Sequence, residues 1–203
     1  NLLDRKIAWG TKNIAQGPAM TRLEAIRSIE TGIEIADEKA REGYRVFTIG
    51  EMGISNTTSS ACILGAFNHW NAIEVTGRGT NISDERLRHK IDVVQRAMDV
   101  NHPDPNDGLD VLSKVGGFEY GCMTGVILGA AANHALTIID GFNTTASAFI
   151  AKALCPEVVH YLMASHLSLE QAHKKSLAAL GLTEYIDLDF RLGEAIGAGI
   201  QTR

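Results

Sequence analysis

A chain of 203 residues with net charge −5 and 45% apolar residues has the balance of an ordinary globular protein, long enough to bury a sizeable core. Its 19 Lys and Arg residues are scattered rather than gathered into a basic stripe, which argues against a nucleic-acid partner. No apolar run approaches the ~20 residues of a membrane span, and the first residues have no secretory-signal character. Cys62, Cys122 and Cys155, odd in number and in apolar surroundings, read as reduced packing residues of a cytoplasmic protein.

Residues 18–42 are predicted to be helical. Thr21 with Glu24 three residues on makes a capping box, and Leu23, Ile26, Ile29 and Ile33 recur at helical spacing. Gly43 stops that helix and 45–49 follows as a buried strand; 57–70 is apolar enough for a helix on a sheet. Ser83 caps an amphipathic helix with Asp84 and Glu85 in its first turn and Leu87, Ile91, Val94 and Met98 as its core stripe. The prolines and glycine of 101–108 mark a loop. Helices are predicted over 109–115 and 118–133, the second with Gly121, Gly125 and Gly129 on one face, a spacing that suits close packing against a neighbour. A strand over 136–139 ends at Asp140-Gly141, a helix covers 144–154, and 161–164 is a strand. Ser168 with Gln171 reads as a second capping box, leading into a helix to 180.

This alternation predicts an α/β fold: a doubly wound, mostly parallel sheet flanked by helices, Rossmann-like, with one domain over 1–203. In such folds ligands bind beyond the carboxyl ends of the strands. The segment Val46-Phe47-Thr48-Ile49-Gly50-Glu51-Met52-Gly53-Ile54-Ser55-Asn56-Thr57-Thr58 has that layout: strand, glycine-containing loop, helix start. It carries neither the Gly-Lys-Ser/Thr of a Walker loop nor the Gly-x-Gly-x-x-Gly of dinucleotide folds. The chain also lacks a Gly-x-Ser-x-Gly elbow, and its 7 histidines show no His-Glu-x-x-His spacing, so neither a metal nor a cofactor is implied.

Several residues admit a structural and a functional reading. Glu51 either favours a helix start electrostatically or accepts hydrogen bonds from ribose hydroxyls, since a carboxylate would repel a phosphate. The backbone at Gly53 and Ile54 can offer N–H groups to an anion. Lys90 is a snorkelling surface lysine or a cation reaching over the sheet. Asp140 is a turn former or a ligand contact at a strand end, and Ser168 is an N-cap or a nucleotide contact. His166 stays open between a structural role and donation to a ligand. Glu194 reads, on spacing alone, as an acid in the first turn of a helix.

The wording of these segments is more specific than their spacing. Gly50-Glu51-Met52-Gly53-Ile54-x-Asn56-Thr57-Thr58 resembles the signature loop of nicotinate-nucleotide–dimethylbenzimidazole phosphoribosyltransferases, which build the lower-ligand nucleotide of cobalamin. The resemblance continues through Gly10-Thr11-x-Asn13-Ile14-Ala15-x-Gly17-Pro18-Ala19-Met20-Thr21, Lys114-Val115-Gly116-Gly117-Phe118-Glu119, Asp140-Gly141-Phe142, Ala164-Ser165-His166-x-Ser168 and Arg191-Leu192-Gly193-Glu194. It implies transfer of the phosphoribosyl group of nicotinate mononucleotide to 5,6-dimethylbenzimidazole, giving α-ribazole 5′-phosphate and nicotinate. It further implies Glu194 as general base for the benzimidazole base, nucleotide contacts from Glu51, Gly53, Ile54, Lys90, Asp140 and Ser168, and a homodimer without cofactor. The resembled enzymes are longer at both ends, so the chain reads as their large domain without the small helical domain. The alternative is a truncated mononucleotide-binding domain without turnover. One departure is local: the family continues Glu-Gly-Thr-Gly where this chain has Glu194-Ala195-Ile196-Gly197.

Overall fold

The structure, a computed structural model, describes residues 2–187, 189, 193–200 and 202. Helix α1 (Arg22–Arg41) opens on the expected capping box: Thr21 Oγ1 accepts from Glu24 N, and the Glu24 carboxylate accepts from Thr21 N at 2.8 Å. Strand β1 (Val46–Ile49) leads through the signature loop into α2 (Thr57–Asn68), which His69 ends in the left-handed conformation. The short α3 (Ala72–Val75) follows, then α4 (Asp84–Asn101), capped by Ser83. Next come α5 (Gly108–Val115), α6 (Phe118–Ala132) and β2 (Leu136–Ile139). Then come α7 (Phe142–Leu154), a 3-10 helix (Pro156–Tyr161), β3 (Leu162–Ala164), α8 (His173–Leu180) and α9 (Ile196–Ile200). The short α3 and the 3-10 helix carry too few residues to show a period.

The sheet of the described residues is three-stranded and parallel, in the order β1-β2-β3, with helices flanking it. Ile49 pairs with Ile139 and Ile139 with Ala164, so all three strands end at the same level. That register places Gly50-Glu51, Asp140-Gly141 and Ser165-His166 side by side along one edge. The core gathers Ile63 and Leu64 of α2, Leu112 of α5, Tyr120 and Ile127 of α6 and Ile150 of α7. Burying each aliphatic side chain contributes about 1.5–3 kcal/mol.

Several expectations are corrected. Strand β1 is not buried throughout: Val46 is 48% exposed and Ile49 alone of its residues is buried, because β1 stands at the sheet edge. The glycine face of α6 makes its expected close contact within the chain. A Cβ on Gly125 would stand 2.0 Å from the Ile29 carbonyl oxygen, so α1 lies directly on the α6 backbone. This face therefore supplies no contact to a second copy. The second capping box does not form either. Helix α8 begins at His173, and Gln171 Nε2 instead donates to Ile73 O at 3.1 Å. The reason is local: His173 Nδ1 accepts the Ser168 backbone N–H at 2.9 Å, folding 168–172 into a turn ahead of the helix.

Candidate active site

At the carboxyl edge of the sheet lies a cleft of about 630 Å³, within the range of small-molecule sites. All the candidate residues line it: Glu51, Gly53, Ile54, Lys90, Asp140, Ser168 and Glu194. They come from the ends of β1 and β2, from α4, and from the loops after β3 and before α9.

Glu51 follows β1, and its carboxylate is held by amides from two elements. Asn143, in the first turn of α7, donates through Nδ2 to Glu51 Oε1 at 2.6 Å, and Asn56 Nδ2 donates to Oε2. The amides are themselves fixed: Asn143 Nδ2 also donates to Asn56 Oδ1 at 2.8 Å, and Ser60 Oγ donates to Asn143 Oδ1 at 2.6 Å. The buried Tyr120 hydroxyl donates to Asn56 O at 2.8 Å. A carboxylate accepts about four hydrogen bonds, so Glu51 keeps lone pairs for hydroxyl donors in the cleft.

The neighbouring part of the cleft suits an anion. Asn56 is the N-cap of α2, yet its side chain serves Glu51 and makes no cap hydrogen bond. The N–H groups of Gly53, Ile54 and Ser55 donate to no acceptor among the described residues. The first turn of α2 carries no acid and presents Thr57 and Thr58. Lys90 projects from α4, where its Nζ donates to Thr57 Oγ1 at 2.8 Å and to Gly77 O at 3.1 Å. An ammonium carries three N–H donors, so one remains for a ligand. Burial pulls the Lys90 ammonium below the usual lysine range, and the nearby Glu170 carboxylate offsets part of that.

On the far wall, His173 organises Ser168. Because its Nδ1 accepts from Ser168 N, its Nε2 carries the proton and donates to Thr145 Oγ1 at 3.1 Å; Thr145 in turn donates to Gly141 O at 2.8 Å. Burial keeps this imidazole neutral, its pKa pushed down to about 3. Ser168 Oγ accepts from Glu170 N at 3.4 Å.

Glu194 stands exposed at the mouth of the cleft, in a turn ahead of α9 rather than within a helix. Gly193, Glu194 and Ala195 have φ of 74°, 58° and 61°, all left-handed. The Glu194 N–H donates to Glu51 O at 3.2 Å. A Cβ on Gly50 would stand 2.1 Å from Ala195 N, so the glycine ending β1 is what admits this turn. Arg191 and Leu192 lie outside the described residues. Asp140 is 2% exposed, and its Oδ1 accepts from Ala198 N at 3.0 Å. Burial raises its carboxyl above the usual range.

Sequence reasoning missed Asn143 and His173. A polar residue in the first turn after a strand end was the available signal for Asn143. Nothing local marks His173, whose partners lie in other elements. Among the described residues no group of three or more His, Cys, Asp or Glu could hold a metal ion, and no helix is long and apolar enough to cross a membrane.

Comparison with known proteins places this geometry. The chain is 53% identical over 199 residues to the nicotinate-nucleotide–dimethylbenzimidazole phosphoribosyltransferase of Syntrophotalea carbinolica, covering 98% of this chain and 56% of that protein. It is 49% identical to the Clostridioides difficile enzyme of the same name, covering 98% and 57%. The crystal structure of CobT from Thermus thermophilus superposes with a TM-score of 0.92 at 41% identity, over 97% of this chain and 59% of that one. The chain thus spans a little over half the length of these relatives. A family model described as Phosphoribosyltransferase matches residues 1–203. With its parallel-sheet cleft and its sequence in agreement over that whole span, the chain belongs to the phosphoribosyltransferase family.

Proposed function

We propose that the cleft binds nicotinate mononucleotide and transfers its phosphoribosyl group to 5,6-dimethylbenzimidazole. The observation that carries this reading is the separation of charge within one cleft. The fixed carboxylate of Glu51 stands at one place, and Lys90 with the uncapped start of α2 at another. A ribose with free hydroxyls fits the first and its 5′-phosphate the second, through Gly53 and Ile54. Ser168 closes the nucleotide side.

In the reaction a benzimidazole ring nitrogen attacks the anomeric carbon as the bond to the nicotinate nitrogen breaks. The configuration inverts from β to α. Nicotinate leaves readily because its ring nitrogen is cationic while bonded, so the protein's tasks are placement and removal of the benzimidazole proton by Glu194. No covalent enzyme intermediate is needed. The chain acts in this reading as one nucleotide-binding unit of a cytoplasmic homodimer, supported by its unpaired thiols and by apolar side chains exposed outside the cleft, such as Tyr44 and Trp9. A monomer in light scattering at high micromolar concentration overturns the dimer.

One observation favours a second reading, mononucleotide binding without turnover: Glu194 is exposed, whereas a base working near neutrality gains from a desolvated pocket. Calorimetry with nicotinate mononucleotide, beside a chromatographic assay for α-ribazole phosphate, separates the two. Under the first reading Glu194→Gln lowers turnover about 10²–10⁴-fold and spares mononucleotide binding. Binding with no product selects the second, and absence of binding removes both.

A further inference from the structure

We propose that Asp140 is a positioning residue whose carboxylate sets the Glu194 turn across the sheet end. The inference rests on Glu194 being the base. The segment from Gly193 to α9 lies over the ends of all three strands and is pinned at each. At β1, Glu51 O accepts the Glu194 N–H at 3.2 Å, and Gly50 leaves room for Ala195. At β2, Asp140 Oδ1 accepts the Ala198 N–H at 3.0 Å. At β3, the buried His166 ring packs on Gly197 so closely that a Cβ there would stand 2.0 Å from Nδ1.

Of these restraints, the Asp140 bond is made by a buried side chain to backbone beyond the turn. Its carboxylate lies 3.8 Å from His166 Nδ1 and is 2% exposed. A charge-assisted bond to a backbone N–H is among the stronger hydrogen bonds, and this one holds an otherwise costly run of left-handed residues. Asp140 therefore acts on the reaction through where Glu194 stands, without touching substrate.

The first measurement needs no turnover. Hydrogen exchange at the Ala198 amide is protected in the unmodified protein, at least about tenfold faster in Asp140→Ala, and near normal in Asp140→Asn, whose oxygen still accepts. In the assay, Asp140→Ala lowers kcat about tenfold or more and leaves the KM for nicotinate mononucleotide within about threefold; Asp140→Asn recovers most of the rate. In a Glu194→Gln background, Asp140→Ala costs nothing further, since the group it positions is gone. Should Asp140→Ala not fold, Gly197→Ala displaces the same turn with Asp140 intact and gives the same split. A normal rate in Gly197→Ala, or weakened mononucleotide binding with kcat intact in Asp140→Ala, overturns the proposal. Additive losses from Asp140→Ala and Glu194→Gln overturn it while leaving Glu194 as base. A full rate in Glu194→Gln removes the base and this inference together.

Discussion

Asn143 Nδ2 lies 2.6 Å from Glu51 Oε1 and ties the first turn of α7 to the end of β1. The two residues are far apart in sequence and meet because β1 and β2 end in register. In the proposed reading this carboxylate meets ribose hydroxyls and needs one fixed orientation, which the Asn143 and Asn56 amides supply. Asn143→Ala should weaken nicotinate mononucleotide binding about tenfold, the worth of one hydrogen bond to a charged group. Asn143→Asp should weaken it further by setting a second carboxylate against Glu51. Calorimetry showing unchanged affinity in both variants would remove Glu51 from the ribose site.

Lys90 tests the anion end. If its remaining N–H and the start of α2 hold the phosphate, nicotinate riboside binds at least about tenfold more weakly than the mononucleotide. Lys90→Ala should narrow that preference, because the variant has already lost part of what the phosphate contributes. Equal affinity for riboside and mononucleotide in the unmodified protein would reduce the signature loop to a turn.

Ala195 carries a conformational cost. Its φ of 61° is one that glycine adopts freely and alanine does not. Relief of that strain exceeds the extra freedom glycine brings to the unfolded chain, so Ala195→Gly should stabilise by about 0.5–1 kcal/mol. In a chain of this size that is a rise of roughly 2 °C in Tm. A lower Tm would show that the Ala195 methyl group contributes packing that outweighs its backbone strain.

His173 makes the fold acid-sensitive. In the folded protein it resists protonation until about pH 3, whereas the unfolded chain takes the proton near pH 6.5. Between those values the unfolded state binds more protons, so stability is lost as pH falls, with a slope of up to about 1.4 kcal/mol per unit. His166, also lowered by burial, acts in the same direction. Asp140, raised by burial, acts in the opposite one: its contribution is lost as pH rises through the carboxyl range. Urea melts should show a loss of about 1–2 kcal/mol from pH 7 to pH 5, smaller in His173→Gln. A flat profile in the unmodified protein would exclude His173 as the sensitive group.

Local chemistry in the sequence was enough to place β1, the loop after it and the helix caps at Thr21 and Ser83, since a capping residue and a short β-branched run act over a few positions. It also marked Glu51, Lys90 and Asp140 as polar groups, and all three line the cleft at the carboxyl edge of the sheet. What each side chain does there was decided by tertiary contacts. Asp140 turns to Ala198, Asn56 leaves the α2 cap for Glu51, and His173 takes the Ser168 N–H that a capping box would have given to the Gln171 side chain. The Gly121–Gly125–Gly129 face shows the same division: its spacing announced a close contact, and only the fold identified α1 as the partner. Periodicity and caps are short-range properties of the chain, whereas a buried polar group bonds with whichever partner the packed strands and helices bring within about 3 Å.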